Sequence, residues 1–351
     1  MSKRETAQKV NKTVIKMWRN ACAELVKYDN MLDMTKKVLL SGIQSSGKAH
    51  IGNYFGAMKQ FVDLSETYDC FIMIADYHAL HSLQNPKEMK ENIINLLLDY
   101  LAVGLDPKKV VLFKQSDVSE HTELAWIFET ITTMPYLMRA HAFKDAEAKN
   151  KEIDVGTFNY PMLQAADILL YSPDIVPVGA DQKQHVEISR DTAEKFNNTF
   201  GETFKIPEAM IMKEVAVVPG TDGRKMSKSY GNTIPLFAEY EEIKKAVMSI
   251  VTDSSGEIPQ NVYAVHKLFR SEDELKKIYK EKAGKYKELK EILIEDLEKF
   301  VAPLRQKRKT FEKDIPSALA ILKEGGERAK KVASAKMAQV REKIGVEVYE
   351  K

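Results

Sequence analysis

Two short segments far apart in the chain carry residue types suited to binding phosphate groups. The first, His50-Ile51-Gly52-Asn53, places a glycine between a histidine and an asparagine where a helix is predicted to begin, at about Gly52. A helix N-terminus favours an anion through its free N–H groups and positive dipole, and both polar side chains can donate hydrogen bonds to phosphate oxygens. Gly52 would let a flat ring approach the backbone where a Cβ would clash. Gln44, on the preceding turn, can reach two bound molecules. An ordinary strand–turn–helix connection with a capping asparagine is the alternative.

The second segment is the run Lys225-Met226-Ser227-Lys228, which has glycines on both sides. The glycines predict a mobile loop, and the spacing allows both long lysine side chains to reach one phosphate cluster. When a phosphate is attacked and the leaving group gains negative charge, cations that arrive in the transition state stabilise that charge selectively. A Lys–Ser pair in a loop is often only solvated, but the full pattern directly after an α/β region is much rarer.

A third set of polar residues shares one face of a predicted helix. Tyr160, Gln164, Asp167 and Tyr171 stand at positions i, i+4, i+7 and i+11, and their neighbours, such as Ile168, are apolar. A carboxylate in these surroundings must find a donor, because an unpaired buried charge is very costly. The pattern therefore predicts either a receptor for a ligand N–H or an internal structural pair at Asp167.

A second strand–glycine–helix connection follows this helix. The carboxyl ends of parallel strands are where α/β folds bind ligands. The residues able to face a ligand there are Val176, Val178, Gly179, Asp181 and Gln182. Asp181 can accept hydrogen bonds from sugar hydroxyls, and the two valines can line an apolar pocket.

The elements that must position these residues can be predicted from apolar runs and turn residues. Short β-rich runs begin near Val38, Cys70, Val110 and Asp174 and alternate with longer helical patterns. This alternation is typical of an α/β fold, a parallel sheet with helices on both faces. We predict a Rossmann-like catalytic domain over residues 37–235 with a helical insertion at about 120–172, followed by an all-helical C-terminal domain over 236–351. Residues 1–36 are predicted to form a basic helical extension.

Composition excludes several classes of protein. A chain of 351 residues exceeds one ordinary core, and 44% hydrophobic with 30% charged residues indicates a soluble globular protein. No apolar run approaches the ~20 residues of a membrane span, so we expect no membrane association. The only cysteines, Cys22 and Cys70, are too few for a disulfide framework or a four-thiolate metal site and favour a cytoplasmic location. The net charge of +2 gives no global argument about nucleic acid.

Together these segments resemble the class I aminoacyl-tRNA synthetases, specifically the bacterial-type tryptophanyl-tRNA synthetases, from about Val38 to the C-terminus. The resemblance implies activation of L-tryptophan with ATP to tryptophanyl-adenylate and pyrophosphate, followed by transfer to tRNA(Trp). It also implies that Mg²⁺ is carried by the ATP phosphates without a dedicated set of protein ligands, and that the protein is a homodimer formed through the helical insertion.

The resemblance also assigns roles to particular residues. It assigns catalysis to Lys225, Lys228, His50, Asn53 and Lys144. It assigns ATP binding to Gln44, Gly52, Asn53, Gly179, Asp181, Gln182, Lys225, Met226, Ser227 and Lys228. It assigns tryptophan binding to Leu40, Gln44, His78, Tyr160, Gln164, Asp167, Ile168, Val176, Val178 and Gln182. Asp167 would receive the indole N–H, whereas Gln164 departs from the methionine that many bacterial members have there. The basic run Arg305, Lys307, Arg308 and Lys309 would either contact the tRNA backbone or form a solvated helix face.

Two other functions stay open at this point. A tyrosyl-tRNA synthetase shares the fold, both phosphate-binding motifs and the helix with Gln164 and Asp167, because a phenol O–H is also a donor. The segments 76–79 and 179–185 favour tryptophan instead. A non-catalytic paralogue that binds tRNA is the second alternative, but such proteins usually lose the lysine loop or the His–Gly helix start, and both are intact here.

Overall fold

The computed structural model describes residues 36–148, 152–179, 183–211, 218–252 and 258–348. The predicted helical extension, apart from Lys36, therefore lies outside the described residues. So do Asp181 and Gln182.

A parallel sheet forms the centre of the molecule, as the alternation of strands and helices predicts. Its strands are β1 (Val38–Gln44), β2 (Asp69–Ala75), β3 (Val110–Lys114), β4 (Ile175–Val178) and β5 (Glu208–Ile211). They lie in the order β3-β2-β1-β4-β5, and every described pairing is parallel. The chain winds outward from β1 in both directions, so the switch point lies between β1 and β4, where folds of this class bind ligands. The α/β prediction is confirmed, although β5 was not predicted.

Helices cover both faces of the sheet. They are α1 (residues 51–64, with a π-helical stretch at Tyr54–Met58), α2 (Asp76–Ala79), α3 (Pro86–Val103), α4 (Glu120–Ile131), α5 (Met134–Leu137), α6 (His141–Ala148), α7 (Val155–Leu169) and α8 (Lys183–Phe200). Because successive strand residues point to opposite faces, Leu39 and Ile72 pack with α1 and α3, whereas Leu40 and Phe71 pack with α4, α7 and α8. The region 120–172 is helical throughout its regular structure, as predicted for the insertion.

The C-terminal region is helical, as predicted, and packs directly on the α/β region. Its helices are α9 (Tyr240–Met248), α10 (Gln260–His266), α11 (Glu272–Glu281), α12 (Tyr286–Glu312) and α13 (Ile315–Lys343). α12 lies on α3, and α13 runs along the edge strand β3. A Cβ at Gly325 would lie only 1.8 Å from the Leu112 carbonyl oxygen, so glycine allows this close approach. α13 thereby covers an edge that would otherwise expose unpaired backbone groups.

Candidate active site

The turn after β1 ends in a helix whose first residues cap each other. The His50 N–H donates to Asn53 Oδ1 (3.1 Å), and the Asn53 N–H donates to His50 Nδ1 (3.3 Å). The helix begins at Ile51, one residue before the predicted start. A Cβ at Gly52 would lie 2.9 Å from His50 Nδ1, so the cap itself requires a small residue there. The predicted hydrogen bonds of His50 and Asn53 to phosphate must therefore come from His50 Nε2 and Asn53 Nδ2.

The lysine loop lies across this turn. Lys228 Nζ donates to the carbonyl oxygens of Ser46 (2.8 Å) and Gly47 (2.9 Å). Two backbone hydrogen bonds join the segment after the loop to the start of the helix. The Ile51 N–H donates to the Ile234 carbonyl oxygen, and the Leu236 N–H donates to the Ala49 carbonyl oxygen, each at 3.0 Å. The two phosphate-binding segments predicted from the sequence are thus brought together.

A buried asparagine fixes the shape of the lysine loop. Asn232 is 2% exposed, and its Nδ2 donates to Asp222 Oδ1 (2.7 Å) while its Oδ1 accepts from the Ser227 N–H (2.8 Å). The Met226 side chain is buried between the loop and the helix start. Sequence reasoning did not single out Asn232, although its place in the loop was the available signal.

Burial shifts the pKa values of His50 and Lys228 at the turn. Burial, and secondly the charge of Lys228, lower the pKa of His50 to about 4, so this imidazole is neutral at pH 7. Because Nδ1 accepts the bond from Asn53, the proton of the neutral ring lies on Nε2, which can donate. Burial also lowers the pKa of Lys228, whereas the carboxylate of Asp99 opposes this shift.

Asp167 lies at the centre of a buried hydrogen-bond network. The residue is only 1% exposed. Its Oδ1 lies 2.6 Å from His121 Nδ1 and accepts a hydrogen bond from Gln115 Nε2 at 2.8 Å. Its Oδ2 lies 2.7 Å from His78 Nε2. Burial by itself raises the pKa of Asp167, but the adjacent imidazoles of His78 and His121 outweigh burial and hold it well below its usual range. His121 Nε2 also lies 2.9 Å from the Tyr171 hydroxyl. The internal pairing that the sequence left open is therefore present.

Gln115 and His121 are members of this network that sequence reasoning missed. Gln115 follows β3 directly, and His121 lies in the first turn of α4. The position of Gln115 at the carboxyl end of a parallel strand was a signal for the first. For His121 the sequence offered only a polar residue beside an apolar helix face.

An aromatic cluster surrounds Tyr160 on the same helix, α7. Its ring centroid lies 4.4 Å from that of His78, 5.5 Å from that of His81 and 5.6 Å from that of His185. Gln44 Nε2 donates to the Tyr160 hydroxyl at 3.4 Å, which links the cluster to the end of β1. Burial and the charge of Asp167 raise the pKa of Tyr160 to about 12, so the phenol stays protonated.

Two buried polar atoms beside this cluster have no hydrogen-bond partner among the described residues. They are His78 Nδ1 and Gln164 Oε1. Buried polar groups are almost always paired, so each such atom is suited to a polar group of a bound molecule. Because His78 Nε2 faces the Asp167 carboxylate, the opposite ring nitrogen Nδ1 is left to face a ligand, and Gln164 Oε1 is an acceptor.

The remaining predicted residues have ordinary positions. Leu40, Ile168 and Val176 are buried in the core on the insertion side of the sheet, and Val178 is partly buried against it. Gly179 is exposed where β4 ends, and Lys144 and Lys225 are exposed on α6 and the lysine loop. Their assigned roles stay predictions.

Among the described residues no group of three or more His, Cys, Asp or Glu side chains could hold a metal ion. Within the same ranges no helix is long and apolar enough to cross a membrane.

Comparison with known proteins places this geometry in a family. The model of the family described as tRNA synthetases class I (W and Y) matches residues 34–314. A protein of Fusobacterium nucleatum named tryptophan–tRNA ligase is 48% identical over an alignment of 316 residues that covers 88% of this chain and 97% of that protein. A protein of Rhodopirellula baltica with the same name is 46% identical over 317 residues, covering 88% of this chain and 99% of its own length.

Solved structures agree with this placement. The tryptophanyl-tRNA synthetase of Campylobacter jejuni, complexed with ADP and tryptophan, superposes with a TM-score of 0.81 at 44% identity, covering 88% of this chain and 99% of that one. A tyrosyl-tRNA synthetase of Archaeoglobus fulgidus has a TM-score of 0.62 at 20% identity over 79% of this chain and 91% of that one, and shows the shared fold alone. With a family model that spans most of its length and relatives at nearly half identity, this chain belongs to the class I tRNA synthetases of the tryptophan and tyrosine family.

Proposed function

We propose that this chain is a tryptophan–tRNA ligase, which joins L-tryptophan to ATP as tryptophanyl-adenylate, releases pyrophosphate, and transfers tryptophan to tRNA(Trp). The observation that carries the proposal is the pair of bonds from Lys228 Nζ to the turn at Ser46 and Gly47, 182 and 181 positions away in the sequence. Relatives named tryptophan–tRNA ligase at 46–48% identity support tryptophan over tyrosine as substrate.

The residues at the turn fit a triphosphate. Lys228 supplies a positive charge, His50 Nε2 a neutral donor, and Lys225 a second cation on the same loop. The carboxylate of tryptophan is already ionised at pH 7, so its attack on the α-phosphorus needs no general base. Breaking the bond to pyrophosphate increases the negative charge, and the two lysines stabilise that charge in the transition state. Lys228 must then exchange its backbone acceptors for phosphate oxygens.

Mg²⁺ would bind through the phosphate oxygens and neutralise part of their charge. The ATP-binding roles of Gly179, Asp181 and Gln182 belong to the same proposal. They rest on the family resemblance and on the position of β4 beside the switch point.

Tryptophan recognition rests on the helix α7. A carboxylate has about four lone-pair positions, and Asp167 accepts firmly at three of them. The fourth, on Oδ2, is used only by the longer contact of Gln115 Nε2 at 3.1 Å. We assign the indole N–H to this position. The unpartnered atoms His78 Nδ1 and Gln164 Oε1 would meet further polar groups of the amino acid, and Tyr160 would face its polar end.

A homodimer contact through the insertion is part of the proposal. Trp126, Met134 and Val155 are each at least 66% exposed, and Met138 is 46% exposed. They lie on or directly after α4, α5 and α7, which pack together. Large exposed apolar side chains on adjacent elements indicate a protein interface. The cytoplasmic location likewise remains a prediction.

Three of the four residues in the basic run on α12 form ion pairs within the chain, which neither tRNA contact nor a solvated helix face predicts. Arg305 pairs with Glu298, Arg308 with Asp99, and Lys309 with Glu239. These three charges are neutralised within the chain. We therefore leave the tRNA-contacting residues of the C-terminal region unassigned.

Pyrophosphate exchange with each of the twenty amino acids tests the proposed function. We expect exchange with tryptophan alone. Exchange with tyrosine instead would identify a tyrosyl-tRNA synthetase, and no exchange with any amino acid by a folded protein would favour the non-catalytic paralogue.

A further inference from the structure

A buried ion pair joins the C-terminal helix α12 to helix α3 beneath the phosphate-binding turn. Asp99 is 2% exposed, and Arg308 Nε donates to its Oδ1 at 2.6 Å. Arg308 Nη2 donates to Asn95 Oδ1 at 2.8 Å, and its guanidinium carbon lies 5.5 Å from the ring centroid of Phe237. Arg308 Nη1 also pairs with Glu312 Oε1. Four side chains thus hold Arg308, so its charge has a fixed position relative to Asp99.

Asp99 also lies beside the turn itself. The nearby backbone N–H of Ala49 helps to oppose the rise in the pKa of its carboxyl group that burial causes. Ala49 stands two positions after Gly47, whose carbonyl accepts from Lys228, and the Ala49 carbonyl accepts from the Leu236 N–H at 3.0 Å. A single buried carboxylate therefore lies beside the turn and is bonded to Arg308 on α12.

The charge of Asp99 acts on Lys228. Burial raises the pKa of Asp99 to about 6, while Arg308 and, more weakly, Lys228 oppose that shift. In return Asp99 opposes the lowering of the Lys228 pKa that burial causes. A negative charge close below the turn therefore favours a charged Lys228 above it.

We propose that Asp99 and Arg308 are a positioning pair for adenylate formation: Asp99 fixes the turn at Ala49 and draws the ammonium group of Lys228 over it, and Arg308 holds Asp99 in place from helix α12. This inference rests on the proposed role of Lys228 at the ATP phosphates. Neither member of the pair contacts the reacting atoms; both act through the turn and Lys228. The rate of adenylate formation therefore depends on the position of α12.

A double-mutant cycle between Asp99 and Lys228 tests the pair. Single-turnover adenylate formation is measured, per titrated active site, for Asp99→Asn in the wild-type background and in the Lys228→Ala background. We expect a loss of about tenfold in the first and less than about twofold in the second, because a residue that acts through Lys228 has nothing to position once that lysine is gone. The dissociation constant for tryptophan should not change. Equal losses in both backgrounds would overturn the inference.

A second variant covers the case in which Asp99→Asn does not fold. Arg308→Lys keeps the charge but loses the forked bonds to Asp99 and Asn95. It should lower the same rate, again only when Lys228 is present, and a wild-type rate would count against the pair. The matched control is Arg341→Gln, which breaks the ion pair of Arg341 on α13 with Glu123 on α4, away from the turn. This control should keep the wild-type rate.

The outcomes separate this inference from the proposed function. If Lys228→Ala alone keeps the wild-type rate, the role assigned to Lys228 is wrong and the inference falls with it. If Lys228→Ala is slow and Asp99→Asn is equally harmful in both backgrounds, only the inference is wrong. In Asp99→Asn/Arg308→Gln no buried charge is left unpaired, so this double variant should recover thermal stability relative to Arg308→Gln while the rate stays low. Recovery of the rate together with stability would reduce the pair to a structural role.

Discussion

Asp167→Asn is the sharpest test of how the amino acid is recognised. The asparagine has nearly the same shape, but it keeps one acceptor oxygen and replaces the other with an NH₂ group. Oδ1 can still accept from His121 and Gln115, whereas the amide nitrogen then occupies the position facing His78 and the proposed indole N–H. Two donors would meet where the wild type offers an acceptor.

The expected size follows from that loss. A hydrogen bond to a charged group contributes about 1–3 kcal/mol, so the dissociation constant for tryptophan should rise by roughly 5- to 150-fold at ~1.4 kcal/mol per factor of ten. The unmatched donor at His78, buried at 3% exposure, should also lower the free energy of unfolding by about 1–3 kcal/mol. ATP binding should not change, because the Lys228 contacts with the turn are separate from this network.

Tryptophan is titrated in single-turnover adenylate formation, and unfolding is followed by denaturant titration. Asp296→Asn is the matched control, since Asp296 is a buried carboxylate paired with His266 (2.8 Å) and Arg270 among the C-terminal helices. It should lose stability without losing tryptophan affinity. An unchanged tryptophan constant in folded Asp167→Asn would make Asp167 a purely structural residue. The same affinity loss in Asp296→Asn would show that the effect is not local.

Lys225→Ala and Lys228→Ala should each slow adenylate formation by roughly 10²-fold or more with tryptophan affinity nearly unchanged; a wild-type exchange rate in either would refute that lysine's role. The pKa of His50 in the folded protein is about 4, below its ordinary value of 6.5, so the protein should lose stability as the pH falls from 6.5 towards 4. His50→Asn should lose less stability over this range. Identical curves of stability against pH for the two proteins would contradict a buried neutral His50. Trp126→Glu should shift sedimentation towards the monomer, whereas an unchanged dimer would place the contact elsewhere. A chain that starts at Lys36 should still form adenylate at lower stability; a folded truncation without pyrophosphate exchange would show that the extension completes the site.

The sequence by itself determined the features that depend on neighbouring residues. Alternation of apolar runs and glycine turns predicted the parallel sheet, because strand and helix periods differ and are visible over a few residues. The cap formed by His50 and Asn53 needs only a three-residue spacing. Tyr160, Gln164 and Asp167 share a face of α7 because they stand in register with the helical period, and Asp167 is buried as their apolar neighbours imply.

Only the tertiary structure decided which partners these residues meet. The donors to Asp167 come from positions 46, 52 and 89 residues away, and Arg308 reaches Asp99 across 209 residues. A buried carboxylate requires a donor, but the local pattern carries no information about which distant side chain supplies it. The same holds for Arg308 and Lys309, which look like part of a basic surface patch along the helix and become paired with Asp99 and Glu239 once α12 packs against other elements. Periodicity fixes the face that a residue presents, and packing of whole elements fixes what lies opposite that face.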